Sequence, residues 1–162
     1  MRLTQQTWTP PTGSANWSTN LLSANPAGST YLGYGVFNLG SCPLPNGKLM
    51  FVSSRDGYMP NKGYTTPNLR LYIMDDDGRN VEAVGHLNIG SALHPTMLMD
   101  GRVMFASFES QGVRDQRSWG LWAIWPDGRF WEPLMSAFTE GGAFHFQAQL
   151  SDGRIAVTDY YI

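Results

Sequence analysis

Apolar and polar positions alternate along most of this chain in runs of five to eight residues, each run bounded by a turn signal. The clearest runs are LMFVS, RVMFASF and RIAVTDYY after a turn, and LRLYIMD and LWAIW before one. Alternation at period two predicts half-buried β-strands, and no segment sustains a helical period without Gly or Pro. The same phrase is written three times, as LPNGKLMFVSSRD, LMDGRVMFASFES and LSDGRIAVTDYYI. Its turn glycines, Gly47, Gly101 and Gly153, are 54 and 52 residues apart. A second series lies between them, in MDDDGRN and WPDGRF, with Gly78 and Gly128 50 residues apart. Every turn is Asn-Gly or Asp-Gly followed by Lys or Arg, and such dipeptides supply the positive φ of a tight hairpin.

Two hairpin turns per repeat imply four strands per repeat. For the first unit they fall at Cys42–Leu44, Leu49–Ser53, Leu69–Met74 and Val81–Leu87. The second unit has His94–Met99, Arg102–Phe108, Gly120–Trp125 and Phe130–Met135. The third begins with Phe144–Leu150 and Arg154–Ile162. A four-stranded antiparallel unit at a period near 50 predicts an all-β fold, a partial β-propeller of about two and a half to three blades. The expected organisation is an irregular segment or remnant of a preceding blade at 1–40, blades at 41–90 and 91–141, and the first two strands of another at 142–162. A β-sandwich also uses many short strands, but it does not explain a turn chemistry that recurs at near-constant period.

The stretches LPNGKLMFVSSRDGY at 44–58 and LRLYIMDDDGRNVE at 69–82 resemble the WD40-like (PD40) repeats of TolB-type propellers. The stretches ALHPTMLMDGRVMFASFES at 92–110 and GLWAIWPDGRFWEPL at 120–134 are more similar still to the propeller region of hydrazine synthase alpha-subunit-like proteins. The resemblance spans roughly residues 40 to 162 and rests on turns and strand cores. It implies a propeller fold, export or a periplasmic location, and association with cytochrome c modules. This chain has no CxxCH for the haem part of that likeness to land on. Residues 1–40, rich in Pro, Gly, Ser and Asn with Trp8, Trp17, Tyr31 and Tyr34, fit the repeat less well and suit a long loop across the propeller face or outer strands of another blade.

Composition narrows the classes of function. A 42% hydrophobic, 15% charged chain of 162 residues is globular in type, and a net charge of −2 gives no basic field to attract nucleic acid or an anionic membrane. The single cysteine, Cys42, makes no intrachain disulfide and belongs to no CxxC. No run reaches the roughly 18 apolar residues of a spanning helix, and the start MRLTQQTWTPPTGS lacks the apolar core of a signal peptide. The compartment is not written in these residues.

Candidate chemistry is sparse. His94 and His145 lie on first strands of adjacent units, the strands that line a propeller's channel, and two histidines on one channel are a metal-ligand candidate. However, His94 stands seven residues before its turn glycine and His145 eight, so alternation predicts opposite faces and structural roles. His86 carries no assignment. Asp75-Asp76-Asp77-Gly78 lacks the alternate-position ligands of a calcium loop and reads as a hairpin turn. Arg55, Asp56, Glu109, Arg114 and Asp159 sit at or just beyond strand exits, with Asp115 and Arg117 near Arg114. They are ligand-face candidates or, on the plainer reading, salt links between blades. Gly-x-Ser-x-Gly, GxGxxG and the P-loop pattern are absent, and no catalytic residue or cofactor is expected.

The leading functional expectation is a non-catalytic propeller segment that scaffolds or binds a partner protein or domain. The alternatives are a propeller domain of a cytochrome-associated enzyme whose catalytic centre lies elsewhere, and a carbohydrate-binding propeller. A partial propeller exposes strand edges, so self-association is expected, two copies closing one ring being the simplest case.

Overall fold

A computed structural model describes residues 38–55, 69–85, 91–108, 119–137 and 143–160. They form ten strands: β1 Asn38–Leu44, β2 Lys48–Ser53, β3 Arg70–Asp75, β4 Glu82–Ala83, β5 Ser91–Met97, β6 Val103–Phe108, β7 Trp119–Ile124, β8 Glu132–Ala137, β9 Ala143–Gln149 and β10 Ile155–Tyr160. There is no helix among the described residues, hence none long and apolar enough to cross a membrane. The fold is all-β. The strands pair antiparallel in chain order as two four-stranded sheets, β1-β2-β3-β4 and β5-β6-β7-β8, and one two-stranded sheet, β9-β10. The three sheets are not closed into a ring.

Alternation decides what each sheet faces. On β2, Met50 and Val52 point to one side, with Leu71 of β3 and Cys42 of β1 beside them. They meet Val103 and Phe105 of β6, Ile124 of β7 and Ala92 of β5. The intervening residues Met104, Ala106, Leu121 and Ala123 point to the other side of the second sheet and meet Phe144 of β9. The second sheet is therefore apolar on both faces because it is stacked between the other two. This explains why β6 reads VMFASF rather than as a strict alternation. Phe105 is fully buried, and a side chain of that size contributes about 1.5–3 kcal/mol by leaving water. On the far side of the first sheet, Phe51, Tyr72 and Met74 form a third buried cluster with Leu49.

Four of the five turns share one construction. In Leu98–Arg102 the Gly101 amide donates to the Leu98 carbonyl and the Leu98 amide donates to the Arg102 carbonyl. The same pair of bonds recurs at Asp75–Arg79, Trp125–Arg129 and Leu150–Arg154. Each glycine is left-handed, at φ +84 to +94. The aspartate before it accepts the arginine amide through Oδ1 at 3.0–3.1 Å, and the arginine side chain folds back onto the same carboxylate. The Asp-Gly-Arg triplet is thus a self-contained clip. The first turn differs: Asn46 and Gly47 both have positive φ, and Lys48 reaches across to Asp75.

The fourth strands start later than alternation predicts. Asn80 and Phe130, each two residues beyond a turn glycine, have φ of +51 and +50. A left-handed residue breaks the extended run, so β4 begins at Glu82 and β8 at Glu132. The other boundaries move by a few residues.

Candidate functional site

The first strands β1, β5 and β9 lie side by side, β5 packing on β1 on one side and on β9 on the other. Each carries a bulge. Between Leu39 and Cys42, between Leu93 and Thr96, and between His145 and Ala148, the first strand spends one residue more than its partner. Each bulge has one left-handed residue: Gly40 at φ +59, His94 at +54 and Phe146 at +52. All three stand seven residues before a turn glycine. The backbone feature repeats with the turns, although the residue that occupies it does not.

The bulges meet in a row. A Cβ on Gly40 would lie 3.2 Å from Pro95 Cδ and 3.6 Å from His94 Cα, so the second bulge packs directly on the first. Phe146 lies with its ring centroid 4.4 Å from that of His94. His94 Nε2 faces His145 Nδ1 at 3.0 Å, the rings meeting edge-on at 66°. The expectation that these histidines occupy opposite faces is therefore overturned. Simple alternation fails here because the extra residue in each bulge re-aims the side chains around it.

A polar seam holds the two bulges together. Gln147, only 3% exposed, donates through Nε2 to the carbonyls of His94 and Leu93. Thr96 Oγ1 lies within hydrogen-bond reach of the carbonyls of both His94 and Gln147, at 3.2 and 3.1 Å. Met99 N donates to Gln149 Oε1 at 2.7 Å. Burial pushes the His94 pKa down, with the proximity of His145 adding to it, and burial pushes His145 down as well. Burial thus favours the neutral form of both rings. One hydrogen shared between two neutral imidazoles satisfies the pair, one ring donating and the other accepting.

The remaining candidates separate. Arg55 is drawn inward: Nη2 donates to Asn38 Oδ1 at 2.8 Å and Nε to Ser53 Oγ at 3.1 Å. Its guanidinium lies about 5 Å from the ring centroids of Phe51 and Tyr72. It fastens the start of β1 to the end of β2 and covers two aromatic rings. Asp159 is exposed on β10, opposite Phe144. Asp56, Glu109 and Arg114 lie outside the described residues. Asp75 accepts from Lys48 and Asn80, bonds that hold its carboxyl below the ordinary range. Cys42 is buried, which pushes its thiol pKa up. Among the described residues no three His, Cys, Asp or Glu side chains come together. An open hollow of about 430 Å³ is lined by Asn38, Gly40, Leu49, Phe51 and Met74 of the first sheet, among others.

Sequence reasoning missed Gln147 and Thr96, which fix the seam. The signal that leads to them is the alignment of Gly40, His94 and Phe146 at one offset from the turn. Compared with known protein families, curated proteins and solved structures, the chain has no match.

Proposed function

We propose that the chain is a β-propeller segment of about two and a half to three blades that serves as a non-catalytic interaction module. The observation that carries this reading is the stacking of antiparallel meanders face to face with their bulged first strands side by side. Blades packed around an axis have that arrangement. The period near 50 and the resemblance to TolB-type repeats support the same reading.

The module's binding surface is the third sheet. The outer edge of β10 pairs with no strand among the described residues, and the sheet exposes Ile155 on β10, Phe146 on β9 and Leu150 just after β9. An unpaired strand edge with apolar neighbours is a template for another strand or sheet. The partner proposed is a second copy of this chain, its sheets continuing the stack. Light scattering across a concentration series tests this: a discrete dimer or trimer is expected, and a monomer at every concentration contradicts it.

One observation favours a second reading, carbohydrate binding. Trp131 lies against Trp122 with centroids 4.5 Å apart and planes tilted by 40°, next to Phe130, which is 77% exposed. Sugar faces stack on exposed aromatic rings. Retention on polysaccharide resin that is lost in Trp131→Ala supports it, and no retention removes it.

A further inference from the structure

We propose that His94 and His145 form a two-imidazole site for a divalent transition ion of the zinc type, with water completing the coordination. The inference rests on the geometry of the pair and does not need the propeller reading.

The spacing is the first ground. Two nitrogens bound to one tetrahedral zinc at 2.0–2.1 Å lie roughly 3.3 Å apart. His94 Nε2 and His145 Nδ1 already face each other at 3.0 Å, so a bidentate pair needs only a few tenths of an ångström of opening, together with a turn of roughly 35° at each ring that brings both lone pairs to one point off the N–N line. The ring planes cross at 66°, and the two ring nitrogens are the atoms that face each other.

The second ground is how the pair is held. His94 sits at φ +54, a conformation that disfavours a residue with a Cβ. The same left-handed backbone stands at Gly40 and Phe146, so it belongs to the bulge, and what matters for His94 is how its surroundings hold that backbone. Here the surroundings are identifiable: the His94 carbonyl accepts from Gln147 and lies within reach of Thr96, and Pro95 and the His94 backbone pack on Gly40. The imidazole is thus presented from a braced backbone. Phe146 lies against His94 on one side yet is 70% exposed, which leaves the pair partly sheltered and still reachable by a hydrated ion.

The protons balance simply. In the free pair one of the two facing nitrogens carries the shared hydrogen. On binding, that proton is carried by the far nitrogen of its own ring, and both facing nitrogens present lone pairs. No net proton is released by a neutral pair and no electron moves. Imidazole nitrogens favour zinc, nickel and copper over magnesium or calcium, which require oxygen.

The test is calorimetric titration of Zn²⁺ into the full chain at pH 7.5 in a buffer that does not bind metals. One ion per chain is expected. Affinity should fall at least tenfold in His94→Asn and, separately, in His145→Gln, and stay unchanged in His86→Gln and Cys42→Ser. Asn is chosen at position 94 because it tolerates the left-handed backbone. No binding, or binding that survives both of the first two variants, overturns the proposal. If either variant fails to fold, ¹⁵N spectra of the parent decide. Zn²⁺ should move the His94 Nε2 and His145 Nδ1 resonances together, and unmoved resonances overturn the site.

Discussion

The turns and the bulges both recur along the chain, five turns and three bulges among the described residues, but they are specified in opposite ways. A turn is specified by its own residues. In Asp-Gly-Arg the glycine supplies the left-handed φ, the aspartate accepts the arginine amide and the arginine closes on the aspartate. All of this happens within three residues, so like sequence gives like structure at Gly78, Gly101, Gly128 and Gly153. A bulge is specified by what packs on it. Gly40, His94 and Phe146 have little in common as side chains, yet all three adopt the same backbone. The bulge is imposed by the stacking of first strands, and local chemistry then varies within it. Repeated residues therefore mark the scaffold here, and a repeated conformation filled by different residues marks where this molecule becomes particular.

Four tests can break or sharpen that contrast. The largest effect is expected at the first bulge. Gly40→Val places a branched side chain at φ +59 with a contact of 3.2 Å to Pro95, and should cost about 2–4 kcal/mol in denaturant unfolding. A cost under 1 kcal/mol would mean the bulges do not pack on each other.

Next come two turn glycines of like sequence in unlike settings. A Cβ on Gly128 would meet the Gly85 amide nitrogen at 3.0 Å, whereas on Gly153 it meets only the flexible end of Met99 at 4.0 Å. Gly128→Ala should cost about 2 kcal/mol and Gly153→Ala about 1 kcal/mol, the common part being backbone strain. Equal losses would show that the turn alone governs and that its neighbours contribute nothing.

Phe146→Asn should have the opposite sign. Relief of the left-handed strain at an exposed position is worth about 0.5–1 kcal/mol, read as a raised midpoint of unfolding. A lowered midpoint would show that the Phe146 ring stabilises the bulge through His94.

The smallest effect concerns pH. His94 and His145 have lowered pKa values, so the folded chain binds fewer protons than the unfolded chain below their ordinary value. Stability should thus be level above about pH 6.5 and decline as pH falls below it. His94→Asn should weaken that decline. The turn carboxylates of Asp77, Asp100 and Asp152 are held below their usual range by their arginines. Their contribution is lost in a separate, more acidic window, as pH falls below about 4. A single transition near pH 4 that is the same in parent and variant would contradict the histidine part.

The same contrast explains how far the sequence could be read. Period-two apolar runs and Asn-Gly or Asp-Gly turns located the ten strands seen among the described residues, because both signals are local. The bounds of β4 and β8 slipped where Asn80 and Phe130 turn left-handed, since Asn80 permits that conformation without requiring it and Phe130 gives no sign of it. The histidine pair was assigned to opposite faces because alternation assumes an unbroken pleat. One inserted residue per first strand removes that assumption, and the insertion is visible only when the strands are counted against their partners. Arg55 was placed at a strand exit, but its cover of Phe51 and Tyr72 depends on side chains from two other positions in the sheet.

The alignment of bulged first strands is the feature on which the stacking, the seam and the proposed ion site all depend. Proton NMR on the chain with selectively labelled histidine and phenylalanine tests it most directly. The structure predicts through-space cross-peaks from the His94 ring to the rings of both His145 and Phe146, residues 51 and 52 positions away. A well-dispersed, folded spectrum in which the His94 ring shows neither contact would contradict it.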